Sequence, residues 1–586
     1  MQTWTALRLA RKIEPWLPHF EAAPEARAAW QQLLGGPTAA SYDGILEKHP
    51  TAAPDSSGRA RLRKGAVCPL KVKELDLPAP GSSPVDMTSL STGVAAFLDD
   101  FKHKMLRRDD QVDWEAYSTQ RAYGDPVLKS KKEKLALTAR LWACGALGFV
   151  DTVEEEVELF SVVKKYDDDG LLVSRPVWDL RKGNMKWHSP PFVPLGSPAS
   201  FVNLDLSDTD ANGDPVSVTS VTGDISAMFT RCQTPPAIWP WFTLGGISIK
   251  DFVKYMAEQG VTVIPPEGAV ALAVTVLLMG WSWAPFLCQT LLCSCLDAIH
   301  GPEAEDGRRV YGCPTPQLAG AQHAKGLELI SWAYMDDFGA AATTGSCADP
   351  VGTARSWLQK SRDGLTSRGF LVHKEEETDG IRTLGAVAEP GPYSIGLARP
   401  KIALLKAGTE DFVRQKRIWP EHLEKIVGLW SWALLFQRCA LSFLDETYHF
   451  IRNSRQDVQL WLPEEVRQEL LALAALSFLL FTNMQTPWLL QVFATDSCDK
   501  GFGVVKTEAS LAELRAEARH TEMRGWTVAL EDTYADIEES IWQDDDDARN
   551  HSVHDLMDAA RPEAPSTPRV FRVLHLFAGD RREKDV

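Results

Sequence analysis

Two adjacent carboxylates, Asp336 and Asp337, have the clearest potential for chemistry in this chain of 586 residues. They follow a β-prone apolar run, Leu329–Tyr334, and precede Phe338 and a series of small residues. This pattern predicts a β-hairpin with the two acids at its tip. Neighbouring carboxylates repel each other, and a divalent cation would keep both ionised. Taken alone, the pair is more simply interpreted as an ordinary solvated turn.

A second predicted hairpin could supply cations. An apolar strand ends in Lys164 and Lys165, and an Asp-Gly turn then leads to a strand that carries Arg175 and Arg181. Arginine can bind phosphate oxygens with two parallel hydrogen bonds, so such a hairpin suits phosphate binding. Taken alone, the hairpin is more simply interpreted as an ordinary polar face.

A third carboxylate, Asp224, follows a β-branched run over residues 216–222 that predicts a strand. Further on, residues 268–296 contain no charged residue and are long enough to span a bilayer. Gly280 and Pro285 interrupt this stretch. A buried strand, a turn and a helix over 286–300 are therefore favoured over a membrane span.

The elements after the acidic hairpin complete the predicted layer. Asp349 and Pro350 predict the start of a helix that ends near Gly369. A short strand over 370–373 is expected to end at Lys374, and a further strand follows over 381–387. This order of elements predicts an α+β layer with helices on one face.

Composition limits the class of protein. The formal net charge of −17 argues against a generic nucleic-acid binder, although basic residues can still be concentrated in one cleft. The cysteines show no metal-ligand spacing, and the N-terminus lacks a secretory signal, so we expect an intracellular protein of the cytoplasm or nucleus. Basic runs at 102–108 and 129–134 are interpreted as solvated faces, with nucleic-acid contact as the alternative.

At these residues the sequence resembles the reverse transcriptases of long-terminal-repeat and DIRS-type retroelements, over about residues 159–505. Six signals occur in the order of that family. They are Arg175-x-x-x-Asp179-x-Arg181-x-x-Asn184 with Lys164 and Lys165 upstream, Asp224-Ile-Ser-Ala-Met-Phe229, Gly280-Trp-Ser-Trp-Ala-Pro285 with Gln289 beyond it, Tyr334-Met335-Asp336-Asp337, Lys374, and Leu384-Gly385. One departure is Met279, at a position where retroviral enzymes carry a glutamine.

The resemblance implies a right-hand polymerase fold of fingers, palm and thumb that performs two-metal nucleotidyl transfer. Asp224 and Asp336 would bridge two Mg²⁺ ions, for which Mn²⁺ is an alternative, and Asp337 would be the auxiliary ligand. The substrates would be deoxynucleoside triphosphates and an RNA or DNA template with its primer. The implied nucleotide-binding residues are Lys164, Lys165, Arg175, Arg181, Phe229, Gln289 and Lys374.

Beyond the palm, residues around 493–503 resemble the opening strand of a ribonuclease H domain, with Asp496 as a possible metal ligand. The expected organisation is a partly helical N-terminal region of 1–150, fingers and palm over 151–399, a helical thumb and connection over 400–486, an incomplete ribonuclease H-like α/β segment over 487–530, an acidic and proline-rich linker over 531–569, and the start of a further domain over 570–586. We expect no membrane association. The alternative function is a catalytically silent, retroelement-derived nucleic-acid-binding protein.

Overall fold

The computed structural model describes residues 66–518, apart from 168, 194, 211, 303–307, 311–327, 392, 456–457 and 499–500. The predictions made for residues 1–65 and for the acidic linker and final segment after 530 lie outside the described residues. The chain divides into two compact units. The described residues of the first unit end at Gln485, and those of the second begin at Thr486.

The strands are numbered here in chain order. They are β1 (Val67–Cys68), β2 (Val85–Asp86), β3 (Leu147–Val150), β4 (Glu158–Tyr166), β5 (Leu172–Asp179), β6 (Val218–Ile225), β7 (Cys232–Gln233), β8 (Ala271–Val274), β9 (Leu329–Tyr334), β10 (Asp337–Thr343), β11 (Val372–Asp379), β12 (Ile381–Thr383), β13 (Ala386–Ala388), β14 (Ser394–Leu397), β15 (Arg417–Ile418), β16 (Leu460–Trp461), β17 (Phe481–Asn483), β18 (Gln491–Cys498) and β19 (Gly501–Glu508).

The helices are named by their bounds. The α-helices are Met87–Leu90, Thr92–Leu98, Phe101–Lys104, Trp114–Thr119, Lys131–Ala143, Arg181–Asn184, Met228–Arg231, Ile249–Glu258, Ala284–His300, Pro350–Ser367, Arg399–Phe412, Pro420–Leu434, Asp445–Asn453, Glu464–Leu476 and Leu511–Ala518. Short 3₁₀ helices are Val72–Glu74, Asp109–Gln111, Pro126–Lys129, Pro198–Asn203, Pro236–Phe242, Arg438–Leu444 and Ser477–Leu479.

A four-stranded antiparallel sheet, the central sheet, carries the acidic hairpin. Its strand order is β11-β6-β10-β9, so the hairpin strands β9 and β10 are extended by β6 and β11. β10 consists largely of Gly and Ala, which allows close packing. A Cβ added to Gly339 would lie 2.4 Å from the Trp332 ring and 2.5 Å from the Val221 carbonyl oxygen, so only glycine fits there.

Both faces of three strands of the central sheet, β6, β9 and β10, are largely buried. On one face, Val221, Phe338 and Ala340 join an apolar cluster with the helices Ala284–His300 and Pro350–Ser367. The other face packs Ile330, Trp332 and Ala341 against residues of β12, β13 and β14. The prediction of helices on one face is confirmed, and the second face is covered by a smaller sheet of order β12-β13-β14-β17.

The predicted cationic hairpin is confirmed as β4 and β5, which pair with β1 in a three-stranded sheet. The helix Ala284–His300 has Pro285 in its first turn, and Pro350–Ser367 has the Asp349 carboxylate as its N-cap, accepting from Gly352 N, as the sequence predicts.

One strand differs from its prediction. β11 does not end at Lys374 but continues to Asp379, with a register shift between His373 and Glu376. Charged residues in this strand are compatible with its position at the edge of the sheet, where one side of the strand meets solvent.

The uncharged stretch over 268–296 forms β8, a turn and the first part of the helix Ala284–His300. No helix in the described part of the chain is long and apolar enough to cross a membrane. The helices from Arg399 to Leu476 share a separate apolar cluster centred on Ile426, Trp430 and Leu470.

The second unit, as far as it is described, contains the β18–β19 hairpin and the helix Leu511–Ala518. Its small apolar cluster comprises Val492, Ala509 and Leu514. Asp496 lies in β18 opposite Gly503, and its side chain is outside the described part of the chain, so the ribonuclease H prediction stays a prediction.

Candidate active site

The central sheet brings the three predicted carboxylates to the same end. In the β6–β10 ladder, Asp337 is directly opposite Asp224, and in the β9–β10 ladder it is opposite Tyr334. Met335 and Asp336 therefore form a two-residue turn between the hairpin strands. Ile225 N donates to Asp336 O at 2.8 Å, which holds this turn beside the end of β6. Residues more than a hundred positions apart in the sequence become neighbours in this way.

The turn has a strained backbone with a specific support. Met335 has φ 57°, in the left-handed region that side chains other than glycine rarely adopt. The Gln289 amide lies beneath it, 1% exposed. Its Oε1 accepts from Met335 N at 2.7 Å and its Nε2 donates to Ala333 O at 3.0 Å. One buried side chain therefore fixes both sides of the hairpin tip.

The carboxylates of the tip are electrostatically unfavourable without a cation. Burial raises the pKa of Asp336, and the charge of Asp224 adds to this rise. Burial also raises the pKa of Asp337 to about 6, with further contributions from Asp336 and Asp224. As a residue Asp337 is exposed, so solvent screens part of this repulsion. The end of the sheet thus concentrates negative charge.

Two basic residues of β11 lie against Asp224. Lys374 Nζ donates to Asp224 Oδ2, and His373 Nδ1 lies 3.0 Å from Asp224 O and 3.5 Å from its Oδ1. Lys374 has φ 52° and lies in the register shift of the strand. The sequence analysis predicts a role for Lys374 but not for His373. The position of His373 directly before Lys374 is the signal from which its place beside Asp224 could have been predicted.

The predicted cations of the β4–β5 hairpin have different surroundings. Burial raises the pKa of Asp336, and the positive charge of Arg175 offsets part of this rise. Lys164 Nζ forms an ion pair with Asp76 at 2.5 Å, and Lys165 is exposed. Arg175 therefore acts electrostatically on one of the carboxylates.

Arg181 forms a two-point ion pair within its own motif. Its Nε donates to Asp179 Oδ1 at 2.9 Å and its Nη2 to Asp179 Oδ2 at 2.6 Å. The Asp179 side chain is buried, and this pairing, together with an amide hydrogen bond from Tyr123, lowers its pKa against the effect of burial. The Arg181 guanidinium is therefore paired with Asp179 within the protein, and its contact with a nucleotide stays a prediction.

The turn before the helix Ala284–His300 is clamped to the end of β5. Gly280 has φ 122°, and a Cβ there would lie 2.1 Å from Trp178 O. Trp178 N donates to Met279 O at 2.9 Å. The Asn184 amide bridges the same turn, donating to Gly280 O at 2.9 Å and accepting from Ser282 N at 3.0 Å. Asn184 occurs in the sequence motif, but its bridging role was not predicted.

Phe229 and Gln289, two predicted nucleotide-binding residues, contact the protein interior. Phe229 lies in the short helix Met228–Arg231, half-buried against the main apolar cluster. Gln289 is committed to the hairpin tip, as described above. Direct contact of either side chain with a nucleotide stays a prediction.

Carboxylate oxygens are the ligands that Mg²⁺ prefers, so the chemistry of the tip suits such an ion. Within the described ranges, however, no group of three or more His, Cys, Asp or Glu side chains is arranged as a ready-made metal site. The ammonium group of Lys374 instead neutralises Asp224. A cation that binds here has to compete with this lysine.

No protein-family model and no curated protein matches the chain. Among the solved structures that are similar to it are two of the foamy viral protease-reverse transcriptase. The dRH form in complex with ds DNA has 15% sequence identity and a TM-score of 0.39, with 66% of this chain and 55% of that chain covered. The complex with RNA/DNA hybrid has 14% identity and a TM-score of 0.37, with coverages of 74% and 42%.

The chain thus spans about half the length of these two proteins. Both TM-scores are low, so neither likeness supports an assignment of function, which has to come from the residues of the chain itself.

Proposed function

We propose that the chain is an RNA-directed DNA polymerase of a retroelement, which adds deoxynucleotides to a primer 3′-hydroxyl. One observation supports this most strongly: Asp224, Asp336 and Asp337 meet at one end of the central sheet, with Asp337 opposite Asp224 in the ladder. Burial and neighbouring negative charge raise the pKa values of Asp336 and Asp337, so a divalent cation bound here would stabilise their charged forms.

In the proposed reaction, Asp224 and Asp336 would be the main ligands of two Mg²⁺ ions, and Asp337 would be the auxiliary ligand. When bound, these ions would activate the primer hydroxyl and stabilise the leaving pyrophosphate. Arg175, whose charge already acts on Asp336, would contact the triphosphate. Lys374 would leave Asp224 and pair with phosphate oxygens instead.

The test is primer extension by the full-length protein with Mg²⁺ and deoxynucleotides, with RNA and DNA templates assayed side by side. Asp336→Asn removes one ligand charge at almost constant shape, so extension should be abolished. Asp363→Asn, on the exposed face of the helix Pro350–Ser367, is the matched control and should extend like wild type. Equal extension by wild type and Asp336→Asn would show that the two-metal proposal is wrong.

The ion pair between Lys374 and Asp224 favours a second candidate, a catalytically silent protein that binds nucleic acid. In that case the lysine permanently replaces the cation. This candidate predicts that wild type does not extend a primer, and that Asp224→Ala still binds nucleic acid with wild-type affinity.

A further inference from the structure

Two basic segments outside the carboxylate site lie side by side. Residues 102–108 precede the region that resembles reverse transcriptases, and residues 182–188 follow β5. Arg107 N donates to Lys186 O at 2.9 Å, so the segments pair through their backbones. Trp187, 2% exposed, anchors the second segment in the main apolar cluster. The position of these cations is therefore fixed by the fold.

Three cations of the first segment, Lys102, Lys104 and Arg107, have no acidic partner among the described residues. Lys102 and Lys104 are exposed and Arg107 is half-buried. Lys104 and Arg107 donate to backbone carbonyl oxygens, those of Ala96 at 2.7 Å and Met185 at 3.4 Å respectively. Each side chain therefore keeps donors that a phosphate group could use.

Four aspartates flank this segment, and two of them are already paired. His103 Nδ1 lies 2.6 Å from Asp100, and Arg108 lies 3.3 Å from Asp110. These contacts neutralise part of the flanking acid. Residues 99–110 therefore have a formal net charge of zero, in a chain whose total formal charge is −17, and their cations are grouped between the two acidic flanks.

An aromatic pair adjoins the second segment. The ammonium groups of Lys182 and Lys186 lie 4.5 Å and 4.9 Å from the centre of the Tyr117 ring. Tyr117 also donates to Glu155 at 2.5 Å, and Glu155 pairs with both lysines, with Lys186 at 2.7 Å and with Lys182 at 3.8 Å. Trp114, 46% exposed, contacts the Tyr117 ring edge-on at 5.2 Å. A large indole thus faces solvent near two lysines that share one carboxylate, which leaves one net positive charge.

The same surface is connected to the candidate active site. Trp283 Nε1 donates to His188 O at 2.8 Å, and Asn184 bridges Gly280 and Ser282 in the turn before the helix that carries Gln289. The second basic segment and the support of the acidic hairpin are therefore parts of one hydrogen-bonded framework.

We propose that this surface binds single-stranded nucleic acid. We call it the basic band and define it by Lys102, Lys104, Arg107, Lys182 and Lys186, with Trp114 as its stacking platform. Proteins that bind single strands combine two features. Cations contact the phosphates along the nucleic-acid backbone, and an exposed aromatic ring stacks on the bases. This inference rests on the proposed function in one respect: the strand it holds is the unpaired part of the template.

The test measures binding of the full-length protein to a fluorescent 12-nucleotide single strand and to a duplex of the same length, over a range of salt concentrations. Each phosphate contact on a single strand contributes about 0.7 to the slope of log K against log salt. The variant Lys102→Ala/Lys104→Ala/Arg107→Ala should therefore reduce this slope by about 2. The charge-matched control is Lys129→Ala/Lys132→Ala/Lys250→Ala, which should leave the slope unchanged.

Trp114→Ala should weaken single-strand binding about tenfold, since stacking on one ring contributes about 1–3 kcal/mol per base. It should not change the salt slope or duplex binding, and Trp114→Phe should restore most of the affinity. The proposal is overturned if both variants bind the single strand like wild type, or if Trp114→Ala weakens duplex binding equally. Because binding requires no catalysis, this result is independent of the primer-extension assay.

Discussion

Gln289 offers the sharpest test of how the acidic hairpin is held in place. The Gln289→Leu substitution keeps the approximate size of the side chain and removes both of its hydrogen bonds to the hairpin. Met335 N and Ala333 O then lose their partners, at 2.7 Å and 3.0 Å respectively. Since the side chain is 1% exposed, water cannot readily replace these bonds.

The size of the effect follows from these two contacts. An unsatisfied buried polar group costs about 1–3 kcal/mol, and the Met335 amide is only partly buried, so we expect the free energy of unfolding to fall by about 2–4 kcal/mol. The left-handed backbone at Met335 would then relax. A shift of about 1 Å in a catalytic group can reduce the rate roughly 100-fold. We therefore expect the maximal rate of nucleotide incorporation to fall by about 10- to 100-fold.

The matched control is Ser294→Ala on the same helix. Ser294 Oγ bonds to Ser91 Oγ at 2.8 Å, away from the hairpin, so its loss should cost only about 0.5–1.5 kcal/mol without changing the rate. Urea unfolding gives the stability of each variant, single-nucleotide incorporation gives the rate, and hydrogen exchange reports on the Met335 amide. The reasoning is refuted if Gln289→Leu is no less stable than Ser294→Ala, exchanges Met335 like wild type and incorporates nucleotides at the wild-type rate.

Four further outcomes follow from the site. Gly280→Ala should prevent stable folding at 37 °C or lower the midpoint of thermal unfolding sharply, since its Cβ would lie 2.1 Å from Trp178 O, and a wild-type midpoint would contradict this clash. Asn184→Ala should accelerate hydrogen exchange over residues 279–283, whereas Asn453→Ala should not. Asp337 has its pKa raised to about 6 from 3.8, so the protonated form stabilises the metal-free fold and that stability is lost as the pH rises through 6. Asp337→Asn should consequently raise the stability measured by urea unfolding at pH 7, and a loss would contradict the sign. Lys374→Met should tighten Mn²⁺ binding, measured by calorimetry, because the competing ammonium group is removed; unchanged or weaker binding would argue against competition.

Local signals determined much of this protein from its sequence. The hairpin around Asp336, the β4–β5 hairpin and the helices that begin at Pro285 and Pro350 were all predicted by apolar patterns, turn residues and caps. These signals act over a few residues, so they do not depend on the rest of the chain. The same short-range pattern placed Asp224 at the end of a strand.

Only the tertiary structure decided which groups meet. Asp337 lies opposite Asp224 because two strands that are distant in the sequence pair with each other. The ion pair of Lys374 with Asp224 depends on a register shift in β11 that the local sequence does not predict. The assignment of Gln289 to the hairpin tip likewise requires a helix to be packed beneath the sheet. Such contacts arise when whole helices and strands pack together. The sequence pattern of one element does not show which face of another element it will contact.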